Sequence, residues 1–434
     1  MDFNGLHGLR GTLAEGALAL VNERMELGDG TEYGLACLSL PMKPVYGRWW
    51  TPLRGRFRFR CLHLQKGPSG RLPAPMASMF DPLTIRGLTL RNRIALAPMC
   101  MYSCEDCDGL AAPWHLVHLG ARASGGAGLV MTEAAAIAPN GRISPQDLGI
   151  WSDAHAEALK PVAEFVQSQG AAAGVQLAHA GRKAGTYRPW SPVRGTVPLA
   201  DGGWSDQIAP TGKAFKEGMN FPHEMSVSEI EDVVATFGAC AQRAMGAGFS
   251  LVEIHAAHGY LVHQFLSPLS NERTDAYGGS FEGRTRFLRD IVSEVRRSVP
   301  HDAPVFVRIS ATDWAAGGWT IKDSVALCRL LAQLGVDLVD CSSGGATPDA
   351  EIPVGPGYQV ELARRVRSEA DVLTGAVGQI TEAAQANEVV SSGSADLVFL
   401  GRQLLRDPYW PLHAASEIGA PPPWPDQYGW AVAR

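Results

Sequence analysis

Eight short runs rich in Val, Ile and Leu recur along the chain, and they restrict the fold more than any other feature. They span residues 94–98, 128–132, 174–178, 251–255, 305–309, 337–341, 371–374 and 396–400. Each has the length of a strand and little apolar/polar alternation, as expected of strands covered on both faces. Helical segments separate them. Ser226-Val227-Ser228-Glu229 has the Ser-x-x-Glu form of a capping box and predicts a helix running to about Met245; Thr320-Ile321-Lys322-Asp323 opens another in a similar way. Strand and helix alternating eight times predict a parallel α/β architecture, a single-domain (β/α)8 TIM barrel. An open doubly wound sheet is the rival. No Gly-x-Gly-x-x-Gly follows the first run, which counts against it.

Size and charge agree with this reading. The 434 residues exceed an ordinary domain, but a barrel of roughly 250 to 400 residues can be one domain. Hydrophobic residues make up 46% and charged residues 19%, enough for a large core. The net charge is −6, with both signs interspersed, so no basic stripe points to nucleic acid. No apolar run approaches the about 18 residues of a membrane span. Eight irregularly spaced cysteines fit reduced thiols in a cytoplasm better than a disulfide framework.

Residues 1–78 differ from the rest and are expected to form a non-barrel extension, with the barrel and its tail in 79–434. From Lys43 to Ser78 stand Lys43, Arg48, Arg54, Arg56, Arg58, Arg60, Lys66 and Arg71, with no Asp or Glu. A basic targeting or membrane-surface arm is one reading. A start assigned too early, with translation beginning at Met76 or Met79, is the plainer one. The stretch between residues 178 and 251 is rich in Gly, Pro and Trp and includes Trp190, Trp204 and Phe215. Long loops in compact domains are usually functional, and this one is expected to cover the barrel mouth.

In such barrels the chemistry sits at the carboxyl ends of the strands. The fourth run ends in His255-Ala256-Ala257-His258-Gly259-Tyr260. Two imidazoles three residues apart can donate to one ligand oxygen and stabilise negative charge there. The Tyr260 phenol can deliver a proton. Two satisfied core histidines, or a His-x-x-His metal pair, are the competing accounts. After the first run come Cys100, Cys104 and Cys107, the Cys-x-x-x-Cys-x-x-Cys spacing of radical iron–sulfur enzymes. Asp106 stands where those enzymes usually place an aromatic. Glycine turns at Thr374-Gly375-Ala376-Val377-Gly378 and Leu400-Gly401-Arg402 lie where barrels commonly bind phosphate; simple turn geometry also accounts for the glycines. Arg308 in the fifth run needs an anionic partner, either a reduced flavin or a neighbouring carboxylate. Gln176 in the third has donors and an acceptor for the same ring edge.

These residues belong to longer motifs. They include Leu90-Arg91-Asn92-Arg93-Ile94 leading to Pro98-Met99-Cys100-Met101-Tyr102, and Gln176-Leu177-Ala178-His179-Ala180-Gly181-Arg182-Lys183. His255 to Leu261, Phe265-Leu266-Ser267-Pro268 and Asn271-Glu272-Arg273-Thr274-Asp275-Ala276-Tyr277-Gly278-Gly279-Ser280 follow, then Gly401-Arg402 and Leu405-Arg406-Asp407-Pro408. Together, over residues 79–434, they resemble the old yellow enzyme family, in its xenobiotic-reductase and thermophilic-like group. The resemblance implies FMN, with NADPH or NADH as hydride donor, in a ping-pong reduction of the C=C bond of enones, with quinones or nitro compounds as further acceptors. It implies that Ala97, Pro98, Met99, Cys100, Ala134, Gln176, Arg308, Gly378, Gly401 and Arg402 hold FMN. His255 and His258 would bind the substrate carbonyl, Tyr260 would protonate the α-carbon, Cys100 would tune the flavin and Tyr102 would touch substrate. No metal is implied. Homodimers or homotetramers are expected. Relatives often send a C-terminal arginine or tryptophan into the neighbouring subunit's site, and Trp430 is the matching candidate.

Overall fold

The computed structural model describes residues 77–422 and 424–431, with the backbone of two short upstream strands, Arg24–Glu26 and Glu32–Gly34, which pair antiparallel. Contacts divide the chain into two compact units, Met1–Leu72 and Pro73–Arg434. That strand pair apart, the readings made of the basic leading segment lie outside the described residues.

Each apolar run carries one strand. These are β1 (Ile94–Leu96), β2 (Leu129–Ala136), β3 (Ala172–Ala178), β4 (Leu251–Ala256), β5 (Val305–Ser310), β6 (Leu338–Ser342), β7 (Leu373–Ala376) and β8 (Leu397–Leu400). All eight pair in parallel and β8 closes on β1, so no sheet edge is left and the open-sheet alternative falls. Strand β2 runs four residues past its expected end. A bulge between Met131 and Ala134 re-registers it against β3, and such bulges re-aim side chains near active sites.

The helices follow in alternation: α1 (Pro113–Ser124), α2 (Asp153–Ser168), α3 (Val227–Gly246), α4 (Phe281–Ser298), α5 (Ile321–Gln333), α6 (Val360–Ala370), α7 (Ala383–Ser391) and α8 (Trp410–Ile418). Both expected capping boxes form. At α3, Ser226 N–H donates to Glu229 Oε2 at 2.7 Å and Glu229 N–H to Ser226 Oγ at 3.3 Å. Thr320 and Asp323 repeat the pattern at α5.

The core has two parts. Outward-facing strand residues such as Val130, Ile254, Val307 and Val339 pack against the helix ring. Inside the barrel, Leu129, Leu251, Phe306, Leu338 and Leu397 fill the amino-terminal half. A hairpin of Leu83–Ile85 and Leu88–Leu90 drives Ile85 and Leu90 into the same cluster from below. Each large side chain buried there contributes roughly 1.5–3 kcal/mol, so this end of the barrel is a plug.

Candidate active site

Strand side chains alternate, so each inward column continues two residues further on. The column of Leu251 continues to Glu253 and His255, that of Phe306 to Arg308 and Ser310, and that of Leu338 to Asp340 and Ser342. One step above the plug the interior therefore turns polar. Gln176 Nε2 donates to Glu253 Oε1 at 2.8 Å, and Arg308 Nε lies 3.0 Å from Asp340 Oδ2. Arg308 Nη1 reaches Pro98 O at 3.4 Å. The acid partner foreseen as one explanation of Arg308 is thus real. One arginine serves two buried carboxyls. Burial, opposed by Arg308, pushes Asp340 up to about 6. Burial and the neighbouring Asp340 push Glu253 up to about 8. Glu253 Oε2 and Asp340 Oδ1 have no hydrogen-bond partner among the described residues.

Above this layer the β4 turn presents His255, His258 and Tyr260. His258 has φ +59° and Gly259 φ +71°. A Cβ on Gly259 would stand 1.9 Å from Gly345 O, so only glycine lets this turn pack on the β6 loop. The turn is pinned from behind. His263 Nδ1 accepts from Gly259 N–H at 2.8 Å, which leaves the His263 proton on Nε2, 3.0 Å from Asp313 Oδ1. Asp313 in turn accepts from Ser267 Oγ and Trp319 N–H. The His258 N–H is held by Ser310 Oγ at 2.9 Å. These bonds offset the cost of a left-handed histidine, of order 1–3 kcal/mol.

The His255 and His258 rings stand nearly perpendicular with centroids 5.2 Å apart, and Tyr260 lies 5.1 Å from His255. His255 Nδ1 accepts from Ala257 N–H at 3.2 Å, so its proton is on Nε2. Burial, then Arg308, hold both imidazoles well below their ordinary pKa. They are neutral donors, not cations. Burial pushes the Tyr260 phenol well up, which keeps it protonated. Lys183, lowered to about 8 by burial, donates to His258 O at 2.8 Å and sits between the Phe215 and Tyr260 rings.

The loop after β1 brings Cys100 and Tyr102 to the same mouth. Tyr102 has φ +50°. Glu133, turned by the β2 bulge, accepts from Met101 N–H at 2.9 Å and holds this loop. Cys100, Glu133 and Asp147 place their Sγ and carboxylate oxygens within 4.8 Å of one another. Burial, then Asp147 and Glu133, push the Cys100 thiol well up, so it stays neutral. Cys104 faces His115 at 4.0 Å, and Cys107 accepts from Gln146 at 3.5 Å. Among the described residues the three thiols share no common centre, and the iron–sulfur account loses its geometry. The long loop reaches the mouth as expected: the Trp190 ring meets Tyr102 edge-on at 5.6 Å, and Arg188 donates to Tyr102 O.

Ala97, just past β1, is buried in the lower interior cluster, and Ala134, near the end of β2, lines the same small cavity as Tyr260. Gly378 has φ +126°, and Arg402 opens the short helix Arg402–Arg406 after β8. Burial raises the pKa of Tyr358, which sequence reasoning missed, and the nearby charges of Arg402 and Arg308 oppose that rise. Trp430 is the exception. It is 84% exposed on the C-terminal tail and is not brought to the other site residues. Glu253, Asp340 and Ser342 were also missed. Their signal was an acid or hydroxyl at every second position of an otherwise apolar strand.

A closed barrel with neutral donors, a protonated phenol and an arginine-bearing floor at its carboxyl end is a site that can bind an oxygen on which negative charge develops and deliver a proton beside it. The profile of the NADH:flavin oxidoreductase / NADH oxidase family matches residues 78–420. The NADPH dehydrogenase of Bacillus subtilis (strain 168) is 48% identical over 354 residues, 81% of this chain and 99% of that protein. The solved structure of morphinone reductase in complex with tetrahydroNAD superposes with a TM-score of 0.65 at 27% identity, covering 81% of this chain and 93% of that one. A 2-naphthoyl-CoA reductase superposes at 0.71 with 24% identity; the chain spans about half (52%) of its length, and the likeness is one of fold alone. The chain belongs to the NADH:flavin oxidoreductase / NADH oxidase family, that of the old yellow enzymes. It is an NAD(P)H-dependent FMN oxidoreductase acting on a small molecule.

Proposed function

We propose that this enzyme reduces the C=C bond of small α,β-unsaturated carbonyl compounds, and that quinones or nitro compounds are further acceptors. The observation that carries the reading is the perpendicular pair of neutral imidazoles beside a protonated Tyr260. His255 and His258 donate to the carbonyl oxygen and stabilise the charge that develops there as the β-carbon is attacked. Tyr260 delivers the proton to the α-carbon. Lys183 holds the His258 turn in place.

The residues at the mouth suit FMN. Gly401 leaves backbone bare next to Arg402, which suits a phosphate; an added Cβ there would meet only Met99 Sδ, at 3.5 Å, whereas at Gly378 it would stand 2.9 Å from the Tyr358 ring. Gln176, Arg308, Ala97, Pro98, Met99, Cys100 and Ala134 would hold FMN, with Gln176 and Arg308 supplying donors to it. Bound FMN would supply the hydride, taken first from NADPH or NADH, in a ping-pong cycle. Tyr102 contacts the substrate. We place the enzyme in the cytoplasm, a reading supported by six free thiols among the described residues. We propose a homodimer or homotetramer in which Trp430 approaches a neighbouring subunit's site.

The test is an anaerobic titration of the purified protein, first with NADPH and then with 2-cyclohexenone. Visible flavin absorbance should bleach and then return. Bleaching by NADPH without return on enone addition would leave the flavin enzyme standing and remove the ene-reductase assignment.

A further inference from the structure

We propose that Ser342 fixes which nitrogen of His258 carries the proton, and thereby completes the donor pair for the substrate oxygen. The inference rests on the carbonyl-binding reading above. A neutral imidazole has one N–H, placed by whatever the other nitrogen bonds to. For His255 the backbone settles it, since Ala257 N–H occupies Nδ1. For His258 the partner is a hydroxyl: Nε2 lies 2.7 Å from Ser342 Oγ.

A serine hydroxyl can give or accept, so its own surroundings decide. Its other neighbour is Gln359 Oε1, at 3.4 Å. That oxygen already accepts a 2.6 Å bond from Ser343. The Gln359 amide is oriented by Nε2 donating to Val377 O at 3.0 Å, so its oxygen, not its nitrogen, faces the two serines. The Gln359 oxygen has a second lone pair within 3.4 Å of the Ser342 hydroxyl, but the His258 contact is far shorter at 2.7 Å, and the Ser342 hydrogen is assigned to His258 Nε2. The imidazole proton is left on Nδ1. With the opposite tautomer, His258 would hold a lone pair on Nδ1 and lose that donor. Ser342 is 5% exposed and acts through His258, so it is a positioning residue.

The experiment is nitrogen-15 spectroscopy of histidine-labelled FMN enzyme, with para-hydroxybenzaldehyde as the probe of oxygen binding. Wild type should show His255 protonated on Nε2 and His258 on Nδ1. Ser342→Ala should lose the Nδ1 preference and bind the phenol roughly tenfold more weakly, as expected for one lost hydrogen bond to a charged oxygen, with FMN content unchanged. Ser342→Thr should restore both signals. A wild-type His258 protonated on Nε2 overturns the proposal. So does a Ser342→Ala enzyme that keeps the tautomer and the phenol affinity while His255→Ala loses that affinity. Phenol affinity unmoved in His255→Ala would instead remove the carbonyl-binding reading itself.

Discussion

The lower and upper halves of the barrel interior are built from the same strands and obey different rules. Below, Leu251, Phe306 and Leu338 fill space, capped by Ile85 and Leu90. Two residues further along the same strands, Glu253, Arg308 and Asp340 carry ionisable groups into a buried layer in which three carboxyl oxygens lack a hydrogen-bond partner among the described residues. Two residues further again, His255, Ser310 and Ser342 meet the mouth. Stability is concentrated at the amino-terminal end and chemistry at the carboxyl end. The boundary between them is one step of strand alternation wide.

Moving a charge down by that one step should break the arrangement most severely. In Leu251→Glu the carboxyl enters a layer with no donor, and the loss should be about 3–5 kcal/mol. It would appear as a lower urea midpoint and a poorer soluble yield. A variant as stable as wild type would show that the lower layer is not dry.

The next effect belongs to the mouth. Tyr260→Phe keeps the packing and removes the proton. The oxidative half-reaction with an enone should slow by roughly 100-fold, within the range for general acids, while flavin reduction by NADPH keeps its rate. Stopped-flow measurement of the two half-reactions separates them, and equal slowing of both would take the proton-donor role from Tyr260. A smaller effect is expected at the start of the short helix after β8. Arg402→Ala should weaken FMN retention by roughly tenfold, the cost of one bond to a charged group, measured by fluorescence as FMN is released on dilution.

The sequence carried the upper half unevenly. His255, His258 and Tyr260 stood out as three polar residues in six at a strand end, and the fold brings their rings together; the phosphate role of Gly378 and Arg402 belongs to the function proposed above. Arg308 was visible as a charge inside an apolar run. Its partner Asp340 sits in such a run too, but pairing two residues 32 positions apart takes the closed sheet, which sets β5 beside β6. Glu133 was hidden for a different reason. The β2 bulge turns it toward the β1 loop, and no periodicity announces a bulge. His263 and Asp313 hold the β4 turn from outside the mouth, where nothing in the local sequence distinguishes them from other polar residues. Trp430 was singled out by position in the tail, and the fold of one chain does not bring it to the rest.

The finest test of the boundary is electrostatic. Glu253 is pushed up to about 8 in the folded protein, first by burial and then by Asp340, against an ordinary value near 4.3. Between those values the folded state binds more protons than the unfolded one, so stability falls as pH rises. The contribution of a neutral Glu253 is fully present below its unfolded pKa and is lost as pH climbs through about 8. Asp340, raised to about 6, acts with the same sign over a lower window. Glu253→Gln keeps the bond to Gln176 in reach and cannot ionise. The FMN-free variant should therefore show a flatter dependence of its urea midpoint on pH between about 5 and 8 than the wild type. An unchanged slope would mean that Arg308 already holds both carboxyls ionised, and that the upper layer is a salt-bridged floor instead of a proton-bearing one.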